Sequence, residues 1–245
     1  MNKEQILAGS SMPLASPSYP KGPYRFLNRE YLLVHYESDP DVIREMLPEP
    51  LEPDGNHVFY EWMKMPDSSG FGSYQESGCG IAATYNGIPC NFSVMMYLDD
   101  EPPTSGGREI WGFPKKFGVP RLDVIHDTLT GTLHYDRELV AMGTMAYKNE
   151  KLDAEEISRG LASKLNINLK LIPDVDGSPK IAQLVGYHLA DVSVKFAFKG
   201  PARLHLVPHV NCRVADLPVT KILYGQHILA DLTLPYGEVL LDYLD

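Results

Sequence analysis

The sequence predicts a mainly β (α+β) protein, a single domain built on a curved antiparallel or barrel-like sheet with a few helices packed outside. Runs of alternating, β-branched and aromatic residues outnumber helical patterns along the chain. Strand-like and helix-like segments do not alternate regularly, which argues against a doubly wound parallel sheet. No linker, low-complexity tract or fixed-period repeat divides the 245 residues, so we expect one domain over residues 1–245.

The first elements follow from local composition and from capping residues. We expect residues 1–23 to form an extended N-terminal arm, because Ser, Pro and Gly dominate it from residue 9 onward. Residues 30–38, "EYLLVHYES", predict a strand. Residues 39–47 predict a short helix, in which Asp39 caps the amino end and Pro40 occupies the first turn.

The next two segments differ in pattern. Residues 56–65 alternate and are rich in aromatic side chains, which predicts a strand with Phe59, Glu61 and Met63 on one face. A carboxylate on such a partly apolar face, as at Glu61, is unusual. Residues 67–80, "DSSGFGSYQESGCG", predict a glycine-rich loop or an irregular edge.

The central and C-terminal segments are again mostly strand-like. Asn86-Gly87 predicts a hairpin turn within residues 81–98, and residues 99–120 predict a long connection with at most one short helix near Arg108. Residues 153–165 predict a helix that Asp153 caps, with Glu156 in a capping-box pattern. The other predicted strands, broken by Gly and Pro, lie within residues 121–148, 168–189, 190–207 and 225–244.

Charge and composition exclude several classes of partner. A net charge of −10 and a pI near 5.2 argue against nucleic acids and anionic membrane surfaces. The sequence contains no run of 18 apolar residues, so it predicts no membrane span, and the N-terminus lacks a signal-peptide pattern. The three cysteines are widely spaced, which predicts buried thiols and a cytoplasmic location. Motifs for phosphate loops, dinucleotides, zinc proteases and serine hydrolases are absent.

The segment "REIWGFPKKFGVP" places two adjacent lysines, Lys115 and Lys116, among bulky apolar residues, glycines and prolines. A lysine pair is usually solvated, but neighbouring side chains on extended backbone point to opposite sides. One lysine can therefore enter an apolar pocket, where the charged form is disfavoured. The neutral amine is the form that attacks a carbonyl group to give a Schiff base.

Several segments, which occur in order along nearly the whole chain, together resemble the acetoacetate decarboxylase family. They are "SPSYPKGPYRFLNREYL", "YESDPDVIREMLPEPLE", "YQESGCGI", "MMYLDDEP", "GREIWGFPKKFGVPRL", "PDVDGSPKI" and "HILADLTLP". The resemblance implies that Lys115 is the Schiff-base nucleophile, a lysine of lowered pKa being known in this family. It also implies that Lys116 modulates Lys115 and that Arg29, Glu76 and Glu61 belong to the active site.

The resemblance further implies a reaction and an assembly. The expected substrate is acetoacetate, a 3-oxo acid, which would be converted to acetone and CO2 without a metal or organic cofactor. The expected assembly is a high-order homo-oligomer, such as a dodecamer, with no nucleic-acid or membrane partner. Loss of CO2 leaves electrons on carbon, and an iminium accepts them better than a ketone, so a reactive lysine replaces a cofactor.

Burial and repulsion from a neighbouring cation can both lower the pKa of a lysine. At about 8 Å and an effective dielectric of about 20, repulsion from Lys116 is about 2 kcal/mol, which lowers the pKa by about 1.5. Making the amine the major form at neutral pH requires a lowering of about 4. We therefore predict that burial dominates and that Lys116 points away from the pocket, toward an acid.

Alternatives remain open for the function and for Arg29. The same scaffold and lysine would suit an aldolase-dehydratase that acts on 2-oxo acids and aldehydes through a Schiff base. A non-catalytic barrel that binds small molecules, with Lys115 paired to an anion, is a third interpretation. Arg29 would bind the substrate carboxylate, organise the acidic residues, or form a structural ion pair with Glu30.

Overall fold

The computed structural model describes all 245 residues, and strands dominate it. The first eight strands are β1 (Tyr24–Glu37), β2 (Glu52–Ser68), β3 (Gly72–Tyr85), β4 (Ile88–Leu98), β5 (Lys115–Phe117), β6 (Val119–Ile125), β7 (Thr128–Tyr135) and β8 (Glu138–Ala146). The other seven are β9 (Glu150–Lys151), β10 (Leu165–Pro173), β11 (Pro179–Tyr187), β12 (Ala190–Gly200), β13 (Ala202–Leu206), β14 (Lys221–Leu234) and β15 (Glu238–Asp242).

The helices are few and short. They are α1 (Lys3–Leu7), α2 (Pro40–Met46), α3 (Glu101–Gly106) and α4 (Ala154–Ser163). A π-helical turn, Gly107–Trp111, continues α3, and a short 3₁₀ turn covers Val214–Asp216. None of the helices has the length and apolar composition needed to cross a membrane.

The strands form two sheets. The larger has the order β15-β11-β10-β4-β3-β2-β1-β14-β12-β9, with β5 added beside β4, and the smaller has the order β13-β8-β7-β6. All pairings are antiparallel except those of β4 with β10 and with β5. The predicted mainly β single domain with few helices is confirmed. The barrel-like alternative is wrong, because the large sheet stays open and packs against a second sheet.

The main hydrophobic core lies between the two sheets, and Trp62 of β2 joins them. Its side chain is fully buried and lies over Gly131 of β7 and Gly143 of β8, which are directly paired in the small sheet. A Cβ atom at Gly131 would lie 2.2 Å from the indole, and one at Gly143 would lie 2.3 Å from it. The two glycines thus form the flat surface against which the indole packs.

The capping and turn residues that the sequence singled out form the predicted local structures. The Asp39 carboxylate accepts backbone hydrogen bonds at the start of α2, and the Asp153 carboxylate does so at the start of α4. Asn86 and Gly87 join β3 to β4 with φ angles of 51° and 78°, as a tight hairpin turn requires. The predicted N-terminal arm is not extended throughout, because it begins with α1.

Two sequence-based expectations are wrong. Most of residues 67–80 belongs to the long strand β3 and not to a loop. Its glycines allow close contacts, since a Cβ atom at Gly78 would lie 2.5 Å from the Met95 carbonyl oxygen and one at Gly80 would lie 2.3 Å from the Phe59 ring. Residues 99–120 contain α3, the π-helical turn, β5 and the start of β6, which is far more structure than one short helix.

The packing of Trp62 against Gly131 and Gly143 leads to a prediction about the stability of the fold. Gly143→Ala should lower the free energy of unfolding by about 1–3 kcal/mol, because the added methyl group overlaps the indole. Gly160→Ala is the matched control. It adds a methyl group in α4 with no atom within 4 Å and should raise stability by about 0.5–1 kcal/mol. Urea unfolding would measure both, and equal midpoints would contradict the packing argument.

Candidate active site

A cavity of about 540 Å³ lies on the face of the large sheet opposite the main core. Alternating residues of β1 and β2 therefore serve two purposes, since one set enters the core and the other lines the cavity. Leu32 and Val34 are fully buried in the core, whereas Tyr31 and Leu33 face the cavity. Residues of α4 cover part of this face.

Arg29 reaches the cavity because of a bulge in β1. The pairing of β1 with β14 shifts between Phe26 and Arg29, so that both side chains line the cavity. Asn28 lies in the bulge with φ 56°, and its backbone N–H donates to Asp231 Oδ1 at 2.7 Å. Without the extra residue, strand alternation would send Phe26 and Arg29 to opposite faces.

The two acidic side chains come from adjacent strands. Glu61 of β2 pairs with Gly78, and Glu76 of β3 pairs with Met63, so the carboxylates are diagonal neighbours on one face. Both line the cavity with Arg29 and Lys115. The structure thus brings together four of the five side chains that the sequence analysis singled out.

Lys115 enters the cavity from β5, which adds to the sheet in parallel with β4 beside Met96. Its side chain is only 6% exposed and forms an ion pair with Glu76 Oε1, whose side chain is 3% exposed. The Lys115 Nζ donates to the Pro103 carbonyl oxygen of α3 at 3.1 Å and lies 5.1 Å from the centre of the Phe113 ring. The amine therefore has protein partners on several sides.

The pKa of Lys115 is lowered, and burial is the largest cause. The charge of Arg29 lowers this pKa further, whereas the charge of Glu76 and its hydrogen bond raise it. This agrees with the expectation that burial outweighs repulsion between cations. The cation that contributes is Arg29, however, and not Lys116.

Lys116 lies on the other side of β5 and does not line the cavity. Its side chain is exposed, and its Nζ donates to the Asn211 carbonyl oxygen and lies 5.5 Å from the Tyr135 ring. The expectation that it points away agrees with the structure, but its partners are a carbonyl group and an aromatic ring and not an acid.

Arg29 is held by neighbours that leave its charge unpaired. Its guanidinium carbon lies 5.3 Å from the Phe26 ring and 4.8 Å from the Tyr31 ring, and its Nε is buried without a hydrogen-bond partner. Burial acts to lower the pKa of Arg29, but nearby tyrosines and glutamates more than offset it and the pKa is raised. The suggested ion pair with Glu30 is absent, because Glu30 Oε1 contacts His227 Nε2 at 2.8 Å.

Glu61 lies in an environment that favours its protonated form. Burial raises its pKa to about 7, the Glu76 charge acts in the same direction, and the Arg29 charge opposes both. A carboxyl group with this pKa is close to half protonated at neutral pH, so it can both give and accept a proton.

The π-helical turn Gly107–Trp111 supports Lys115 from behind, a feature that the sequence analysis missed. A Cβ atom at Gly107 would lie 2.8 Å from Cδ, 2.9 Å from Cε and 3.0 Å from Nζ of Lys115. The Arg108 guanidinium donates to the Lys115 carbonyl oxygen at 2.9 Å. The consecutive glycines in "SGGREIW" are the signal that could have indicated this close approach.

Three tethers outside the cavity hold this turn. The Tyr19 hydroxyl, from the N-terminal arm, donates to Glu109 Oε2 at 2.5 Å. Lys170 Nζ donates to the Ile110 carbonyl oxygen at 3.1 Å, and Trp111 Nε1 donates to the Pro235 carbonyl oxygen at 2.9 Å. The wall against Lys115 is thus fixed by distant parts of the chain.

Comparisons with known proteins agree on one family. The family model described as acetoacetate decarboxylase matches residues 11–244. An acetoacetate decarboxylase from Burkholderia mallei is 53% identical over 234 residues, which cover 96% of this chain and 95% of the relative. A solved acetoacetate decarboxylase structure has a TM-score of 0.97 at 46% identity and covers 100% of both chains.

A more distant solved structure shares the fold alone. The enduracididine biosynthesis enzyme MppR, complexed with the condensation product of pyruvate and imidazole 4-carboxaldehyde, has a TM-score of 0.84 at 20% identity. The match covers 96% of this chain and 97% of MppR.

The contact of Gly107 with Lys115 predicts the effect of a single methyl group. Gly107→Ala should displace the Lys115 amine from its partners and move the pH at which it reacts with an acylating reagent. Mass spectrometry of the acylated peptide over a pH series would measure this change. Gly160→Ala, which adds its methyl group in open space, should leave the Lys115 profile unchanged. Identical profiles for both variants would contradict the assigned role of Gly107.

Proposed function

The chain belongs to the acetoacetate decarboxylase family, and we propose that it converts acetoacetate to acetone and CO2 through a Schiff base on Lys115. The observation that carries this mechanism is the buried amine of Lys115, whose pKa is lowered by burial at the base of a cavity shared with Arg29, Glu61 and Glu76. An amine in this environment is the nucleophile that carbonyl chemistry requires.

The proposed reaction begins when the neutral Lys115 amine attacks the C3 carbonyl carbon of acetoacetate. Water leaves and an iminium forms. The bond between C2 and the carboxylate then breaks, CO2 departs, and the electron pair moves to the iminium nitrogen to give an enamine. A proton adds to C2, and water hydrolyses the new iminium to acetone and free Lys115. Overall, one acetoacetate anion and one proton give acetone and CO2.

Each charged side chain has a proposed role that fits its surroundings. Arg29, whose charge is unpaired, binds the incoming carboxylate. Glu76, in contact with the amine, takes and returns protons as the Schiff base forms and breaks. Glu61, with a pKa near 7, supplies the proton that C2 receives.

The proposed assembly is a cytoplasmic homo-oligomer, specifically a dodecamer. Large apolar side chains on the surface support self-association, among them Phe117 at 60%, Leu171 at 57% and Val210 at 83% exposure. Native mass spectrometry would give the number of subunits, and a monomeric protein would contradict this proposal.

Borohydride trapping tests the Schiff base. Wild-type protein mixed with acetoacetate and reduced should carry a stable adduct on Lys115, detectable by peptide mass spectrometry. Lys115→Gln should give no adduct and no acetone, whereas Lys116→Gln should keep both because Lys116 lies outside the cavity. Adducts and condensation products from pyruvate and an aldehyde, without acetone release from acetoacetate, would favour the aldolase-dehydratase. Absence of any adduct would favour a binding protein.

The pH dependence of kcat tests the role of Glu61. If the protonated form of Glu61 donates the proton that C2 receives, kcat should fall as pH rises through about 7, which gives the pH profile an alkaline limb. Glu61→Gln cannot donate a proton as an acid, so it should lower kcat about 10²–10⁴-fold and remove this alkaline limb. An alkaline limb that survives in Glu61→Gln would assign the proton donor elsewhere.

Glu76 and Lys115 should together determine how kcat/KM falls at low pH, on the acid limb of the pH profile. The charge of Glu76 raises the pKa of Lys115, so Glu76→Gln should lower that pKa and extend the neutral amine to lower pH. The acid limb of kcat/KM should therefore move to lower pH, even if the maximum rate falls. A limb that moves to higher pH would contradict the assigned effect of Glu76 on Lys115.

A further inference from the structure

The cavity is much larger than acetoacetate. Its volume is about 540 Å³. Acetoacetate has about seven non-hydrogen atoms and, at about 30 Å³ for each, as for a water molecule, needs on the order of 200 Å³. More than half of the space therefore remains free when acetoacetate occupies Lys115. Acetoacetate alone therefore does not account for the size of the cavity.

The free space extends from Lys115 toward solvent. Around Lys115 the lining side chains, such as Tyr74 and Glu76, are buried. At the other end the cavity is lined by Asp54 and Glu156, which are exposed. The mouth thus lies between the start of β2 and α4, and the space beyond the Lys115 amine extends toward it.

The section between Lys115 and the mouth is apolar. Leu33 and Phe59 line it from the sheet, and Ile157 and Leu161 line it from α4. On the floor, the Phe59 ring covers Gly80 of β3, and two residues further along the strand Ala82 contributes only a methyl group to the lining. Gly78, four residues before Ala82, pairs with Glu61, so this section is about 13 Å long at the usual rise per residue of a strand.

A polar rim ends the apolar section at the mouth. His57 Nε2 contacts His35 Nδ1 at 2.9 Å, and His35 Nε2 contacts Gln226 Oε1 at 3.0 Å. The Asn91 side chain donates to Asn166 Oδ1 at 3.4 Å on the other side of the opening. Both groups are already hydrogen-bonded to protein, and an apolar ligand therefore gains nothing by extending beyond them.

We propose that this apolar section binds the alkyl tail of linear 3-oxo acids longer than acetoacetate, and that Ala82 determines how much tail the cavity accepts. The inference rests on the proposed function, since it assumes that the keto carbon reacts at Lys115. The tail lies between Leu33 and Phe59 of the sheet and Ile157 and Leu161 of α4. Chains that reach the polar rim gain no further binding.

A substrate series tests the proposal. The protein is assayed with acetoacetate, 3-oxohexanoate, 3-oxooctanoate and 3-oxododecanoate, each corrected for spontaneous loss of CO2. Each methylene that enters the apolar section should raise kcat/KM by up to about fourfold, as burial of a CH2 group predicts. A kcat/KM that stays flat or falls with chain length would overturn the proposal. If the protein releases no CO2 from acetoacetate either, the proposed function itself fails.

Two variants and a control locate the tail. Ala82→Leu should lower kcat/KM for 3-oxododecanoate, whose tail is long enough to reach Ala82, at least about tenfold and leave acetoacetate within about twofold. Gly160→Phe should likewise lower kcat/KM for the long substrate and spare acetoacetate, because the added side chain starts in open space on α4. Thr84→Leu, two residues along the same face of β3 and outside the cavity, should change neither substrate. Equal losses for both substrates in Ala82→Leu and in Gly160→Phe would overturn the proposal.

Discussion

The poor solvation of the Lys115 amine is the constraint on which the site depends. Burial disfavours the ammonium form, while the adjacent Glu76 carboxylate favours it, and the balance determines how much free amine exists at neutral pH. The parallel addition of β5 to β4 carries the lysine inward, and the π-helical turn closes the space behind it. Much of the local architecture can be understood as a means of keeping water from one nitrogen atom.

The large sheet connects this site to the stability of the protein. In β2, Glu61 faces the cavity and the next residue, Trp62, is fully buried between the sheets. Because successive side chains of a strand point to opposite faces, the indole fixes the position from which the carboxylate projects. The position of Glu61 is therefore set by packing in the core.

The sequence indicated the fold class and the reactive lysine better than it indicated the geometry around them. An apolar neighbourhood indicated that one lysine of the pair is buried, and the family resemblance identified that lysine as Lys115. The strand within residues 67–80 was missed because glycines that permit close packing look like loop glycines when their partners are unknown. The direction of Arg29 could not be derived either, since it depends on a bulge at Asn28 whose partner, Asp231, is distant in sequence.

The helix α4 has no buried residue, although it forms one wall of the cavity. Ile157 and Leu161 on its inner face are only partly buried, so substitutions there change the space available to a ligand at a smaller packing cost than substitutions at fully buried positions of the sheet. The wall and the reactive groups are therefore separable, because the size of an acceptable ligand can change at α4 while Lys115, Glu61 and Glu76 stay as they are on the sheet.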